Sequence, residues 1–260
     1  MGCLGTKAEN YVNAEEDEEK YLREFELQIG AFTKTLNEII PKICLEKEII
    51  SVHNVEKFII RDFNPSFLNF IQKGYFFKTV DGVQYYDAKK LTLLLFLLSK
   101  DSLMTSGSKN YHDKASFILH YIRSRNDQNL SEPITETEET FISFINDIVD
   151  VSCDGIVECY LKQKNIQTQG YLGRMKEIKS DISESLIAQI FKNDDNSRSN
   201  VLTFEEINDL FGNNKSFLTS GYIREVGWNV LRNGKGDELD KKKVESSDNR
   251  SQVEIKNLHK

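Results

Sequence analysis

Only three prolines occur among 260 residues, so the chain has few obligatory helix stops. Turn-rich stretches are scarce and helical apolar periods recur, which together predict an all-α protein. Four cysteines (Cys3, Cys44, Cys153 and Cys159) are too few for a disulfide scaffold and lack the spacing of a zinc site. The longest apolar run, Leu91 to Leu98, falls far short of the roughly 20 residues that span a bilayer. No cleavable secretory signal is visible. Lys and Arg number 34 against 41 Asp and Glu, a net charge of −7, so there is no basic footprint for nucleic acid. The phosphate-binding Gly-rich loop, the serine elbow and the H-E-x-x-H pair are all absent. The four histidines, His53, His112, His120 and His259, are scattered, and no enzyme is expected. A hydrophobic share of 39% suffices for one large or two small cores.

What is present is a dodecamer of oxygen-bearing residues between two apolar helical patterns. Asp195 to Glu206, DNSRSNVLTFEE, fits a calcium loop whose ligands fall at positions 1, 3, 5, 7, 9 and 12. These are Asp195, Ser197, Ser199, the Val201 carbonyl, Thr203 and a bidentate Glu206. Asn200 takes the turn at position 6, where Asn tolerates left-handed backbone. Leu202 stands at position 8, the residue that pairs with a partner loop. Ile187, Ile190 and Phe191 stripe the helix before, and Ile207, Leu210 and Phe211 the helix after. Only Asp195 and Glu206 bring charge, which predicts one weak Ca²⁺ site. The plain alternative is a polar surface loop that binds nothing.

On these residues, TFEEINDLF after a D-x-S-x-S-N opening, the chain resembles the EF-hand superfamily. Serines at positions 3 and 5 and the missing glycine depart from the strict pattern.

Met1-Gly2-Cys3-Leu4-Gly5-Thr6 fits the N-myristoylation signal at Gly2. One myristoyl chain binds a membrane only reversibly, so stable anchoring needs a second signal. The acidic run Glu15 to Glu19 excludes a polybasic patch, leaving Cys3 as the candidate for palmitoylation. An unmodified N-terminus is the alternative.

The offsets +5, +8 and +9 that lead from Leu202 to Ile207, Leu210 and Phe211 recur elsewhere. From Ile50 they reach Val55, Phe58 and Ile59, and from Tyr86 they reach Leu91, Leu94 and Leu95. Apolar stripes precede both, Phe32, Leu36 and Ile39 before the first and Phe67, Phe70 and Ile71 before the second. Neither loop can hold calcium. The first puts Ile43, Leu45 and Lys47 at ligand positions, and the second puts Thr79 at position 1 and Lys90 at position 12. Ordinary helical hairpins with coincident spacing are the alternative.

A third unit, Asp127 to Glu138, lays Asp127, Asn129, Ser131, Thr135 and Glu138 on the template as weaker ligand candidates. Its flanking stripes end at Tyr121 and Ile122 and resume at Phe141, Phe144 and Ile145, bracketing about eighteen residues. Either the loop has expanded and lost its ion, or this is a linker.

The whole reads as two pairs of EF-hand-like units with a C-terminal helix, similar to lipid-anchored sensors of the recoverin and calcineurin-B type. Residues 1–24 form the acylated acidic segment, 25–105 the ligand-free pair, and 106–212 the pair with the calcium-loop candidate. An extra helix and a flexible stretch are expected over 153–179. Residues 213–233 carry the C-terminal helix around Trp228, and 234–260 form a polar disordered tail. The resemblance implies a calcium-responsive regulator at the cytoplasmic face of a membrane, presenting an apolar groove to a partner helix. The other reading is a structural adaptor without calcium, held at a membrane or in a cytoskeletal or ciliary assembly.

Overall fold

The computed structural model describes residues 6–29, 48–56, 65–98, 114–123, 132–166, 170–192, 200–208, 210 and 218–233. Among them helix dominates and the sheets are small. Helix α1 (Thr6–Ile29) runs through the Glu24–Phe25 boundary drawn from the sequence and buries Leu22, Phe25 and Ile29. Strand β1 (Ile49–Ser51) leads into a helical turn at 52–56, and α2 (Pro65–Ile71) starts at a proline, where no amide donor is missed. Its buried residues are Phe67, Phe70 and Ile71, the stripe predicted before the second loop.

Strands β2 (Phe77–Val80) and β3 (Val83–Asp87) form a hairpin joined by Asp81 and Gly82. Both turn residues have positive φ, 50° and 77°, as a two-residue primed turn requires. Thr79, placed by the template at a ligand position, is therefore a strand residue opposite Gln84. In the three-stranded sheet β3 is central, and β1 pairs with it antiparallel. Ile50 and Tyr86, the two residues from which the repeat counts, face each other in that ladder.

Helix α3 (Ala88–Leu98) is buried on every face from Leu91 to Leu98, so an all-round apolar helix forms the middle of the core. Helix α4 (Lys114–Arg123) stacks Phe117 on Phe96 with ring centroids 4.8 Å apart. Strand β4 (Ile134–Thr135) precedes α5 (Glu139–Asp150), whose apolar face is Phe141, Phe144, Ile145 and Ile148.

Helix α5 does not end at Asp150. A π-helical turn over Val151–Gly155 passes it directly into α6 (Ile156–Lys164), with right-handed helical backbone at both junctions. Helix α6 stops at Asn165, in the left-handed region, and the Ile166 amide returns to the Leu161 carbonyl at 3.0 Å. The 153–179 connection, expected to hold an extra helix and a flexible stretch, thus begins as continuous helix; residues 167–169 lie outside the described set.

Helix α7 (Tyr171–Met175) and α8 (Lys179–Ile190) follow. Strand β5 (Val201–Leu202) pairs antiparallel with β4, Ile134 opposite Leu202, and α9 (Phe204–Asn208) leaves it. Helix α10 covers 220–233. Thr219 caps it by accepting the Tyr222 amide at 3.2 Å, and Leu218 and Ile223, both fully buried, stand at the spacing of a hydrophobic staple. Among the described residues no helix is long and apolar enough to cross a membrane.

Candidate functional site

Glu206 begins as a helix-capping residue. Its Oε2 accepts from the Thr203 amide at 2.8 Å and from the Thr203 hydroxyl at 3.0 Å. The Glu206 amide in turn donates to Thr203 Oγ1 at 3.3 Å. This reciprocal pair is a capping box, and Leu202 and Ile207, both buried, flank it as its staple. The local sequence L-T-x-x-E-I therefore explains the geometry without an ion, while leaving an exposed carboxylate at the mouth of the loop. Val201 is 38% exposed and Asn200 accepts the Glu136 amide at 3.1 Å, which ties this loop to its neighbour.

Asp195, Ser197 and Ser199 lie outside the described residues, as do Asp127, Asn129, Ser131, Gly2 and Cys3. Among the described residues no three His, Cys, Asp or Glu side chains gather into a metal-sized group.

The amide-to-cap bond recurs at the exits of β1 and β3. Ser51 accepts the Asn54 amide at 3.3 Å, and Asp87 accepts the Lys90 amide at 3.0 Å. In each case the cap follows the paired apolar residue by one and its donor follows by four: Ile50–Ser51–Asn54, Tyr86–Asp87–Lys90, Leu202–Thr203–Glu206. Only the last of the three carries a carboxylate at the final position. Lys90 instead sends its ammonium to the Tyr75 carbonyl at 3.4 Å and over the Tyr75 ring at 4.2 Å.

The third exit differs. Glu138 precedes α5 rather than entering its first turn, and its Oε1 accepts from the Thr140 hydroxyl at 2.8 Å. From Phe191 to Ile207 is 16 positions, whereas from Ile122 to Phe141 is 19, so three extra residues separate the apolar stripes there. Glu138 stands four residues after Ile134, as Glu206 does after Leu202, but it precedes its helix and makes no side-chain capping bond.

A second constellation was not legible as a site. Arg224 on α10 is fully buried, and all five guanidinium donors have acceptors. Nε and Nη2 reach Glu19 at 2.9 and 3.0 Å, Nη1 and Nη2 reach Glu26 at 2.8 Å each, and Nη1 reaches the Ser152 carbonyl of the π-turn at 3.5 Å. Burial alone would lower the Arg224 pKa; the charges of Glu19 and Glu26 and their hydrogen bonds reverse this and hold it well above its ordinary value. Arg23 supports Glu19 at 2.9 Å and also holds the Gly221 carbonyl of α10 at 3.0 Å. The available signal was the seven-residue spacing of Glu19 and Glu26, two helical turns apart on the face that carries Leu22, Phe25 and Ile29.

Asp150 and Asp154 grip Lys179, the first residue of α8, at 2.6 and 2.5 Å. That fastens α8 to the π-turn beside Arg224. The chain matches no family model, no curated protein and no solved structure.

Proposed function

We propose that this chain is an EF-hand-type, membrane-tethered, calcium-responsive regulator that binds a partner protein. The observation that carries the reading is the register of the two ladders. Ile50 opposite Tyr86 and Ile134 opposite Leu202 are the position-8 residues of the calcium-loop template, paired antiparallel within each half. A chance pair of helical hairpins has no reason to align that position twice. Calcium enters the proposal only at Asp195 to Glu206, where Glu206 is exposed at the start of α9. Two carboxylates around a divalent ion correspond to a Kd of about 10⁻⁵ M or weaker.

Membrane attachment rests on Gly2 and Cys3, with two chains needed for a stable anchor. Cell fractionation tests this: Gly2→Ala releases the protein, and Cys3→Ser leaves weak, reversible attachment. An unmodified N-terminus in intact-mass spectra from cells with the required transferases overturns it.

The ligand-free adaptor draws its support from the capping box, which accounts for Thr203 and Glu206 without an ion. Calorimetry with calcium on the purified chain separates the two readings.

A further inference from the structure

Helix α10 is held in part by groups from early in the chain. Glu19 and Glu26 come from α1, the Ser152 carbonyl from the π-turn, and Met175 and Ile182 from α7 and α8. Gln189 accepts from the Tyr222 hydroxyl at 2.8 Å. A Cβ on Gly227 would come within 2.6 Å of Met175 Sδ and 2.7 Å of Ile182 Cδ1, so that position demands a small residue. A buried carboxylate, Glu26, and a partly buried one, Glu19, which Arg23 also holds at 2.9 Å, impose a further demand. A helix without a central cation would leave Glu26 uncompensated, and an unpaired buried charge is strongly unfavourable. A helix that supplies the cation meets a net negative seat with two planar carboxylates matched to one guanidinium fork.

We propose that this seat is a helix-binding site selective for arginine, with α10 as its resident occupant. Its partner is an amphipathic helix bearing an apolar residue, arginine, any residue, a second apolar residue and then a small one, as in Ile223-Arg224-Glu225-Val226-Gly227. Selectivity comes from the penalty on helices that lack the arginine, a built-in element against wrong partners. This rests on the partner-binding reading above and deepens it by naming the partner's chemistry.

The test uses the full chain, unacylated, with and without calcium, so that failure of calcium binding leaves the result readable. A peptide of residues 218–233 carrying Trp228→Phe is titrated into the wild-type chain. Trp228 is the sole tryptophan, so its emission reports the resident helix alone. An intramolecular helix competes at an effective concentration of about millimolar, so the titration extends to that range. The expected result is a saturable red shift as α10 leaves, with the Arg224→Met peptide at least tenfold weaker. A second arm uses the full chain with Arg224→Ala, whose resident helix is weakened. The arginine peptide raises its Tm and the methionine peptide does not. Where that variant does not fold, the wild-type titration decides. Equal action of both peptides, or no emission change at millimolar peptide, overturns the proposal.

Discussion

The two halves of the molecule share a ladder and differ in what fills the loops beside it. In the first half Tyr86 pairs with Ile50, and the space before it is taken by the β2–β3 hairpin. Asp87 caps α3, and the residue three further on is Lys90, whose ammonium is occupied by Tyr75. In the second half Leu202 pairs with Ile134, Thr203 caps α9, and the residue three further on is Glu206. Paired apolar residue and cap are retained in both. The charge at the last position is inverted. Apolar pairing and capping therefore suffice to build the unit, and the carboxylate at the last position is an addition that the first half lacks.

That comparison can be broken most severely through the core. Phe141→Ala on α5 should cost about 3–5 kcal/mol and Leu94→Ala on α3 about 2–5 kcal/mol, since both side chains are fully buried. Urea unfolding measures both; a cost within about ±0.5 kcal/mol in one half alone would show that the halves are not held alike. Arg224→Ala belongs to the same range, about 3–5 kcal/mol, because it strands the buried Glu26 carboxylate and leaves Glu19 to Arg23 alone.

Smaller effects distinguish the loops. Gly82→Ala in the hairpin should cost about 1–2 kcal/mol from its left-handed backbone alone, since no atom lies within 4 Å of the added carbon. Thr203→Ala should cost about 1 kcal/mol through the lost cap, in the same unfolding assay. A negligible cost for Thr203→Ala would remove the capping box as the reason α9 starts where it does.

Alkaline pH probes the helix that joins the second half to the clamp. Burial pushes the thiols of Cys153 and Cys159 up to about 12, against 9.0 ordinarily. The folded state keeps protons that the unfolded chain releases. Their contribution to stability is complete below about pH 9 and is lost as pH rises toward about 12. Denaturation midpoints should fall across that window, and both thiols should resist alkylation in the folded chain at pH 8. Rapid labelling of either would contradict its burial.

The ladder residues were legible because an exiting helix must turn its 3.6-period stripe to the core. Val55, Leu91 and Leu94 are accordingly buried at the counted offsets, while Phe58 and Ile59 lie outside the described residues. The stripes that end at Ile122 and resume at Phe141 were legible for the same reason, while residues 124–131 between them lie outside the described residues. The hairpin was missed although Asp81-Gly82 between alternating residues is its sequence signal, because a loop template was laid over it. The Arg224 clamp was illegible for a different reason. Its partners lie 198 and 205 positions away, and no local period records a contact of that range. The π-turn carried no signal at all, since Gly155 reads as a helix breaker and stands inside a helix.

Calcium calorimetry on the wild-type and Glu206→Gln chains tests the central claim most directly. Glutamine keeps an oxygen acceptor for the cap and removes the charge, so the fold is retained while the ligand is lost. The expected result is one site of about 10⁻⁵ M or weaker in the wild type, none in Glu206→Gln, and no change in Glu138→Gln. Equal binding by the Glu206→Gln chain, or no binding heat in the wild type at millimolar calcium, contradicts the account.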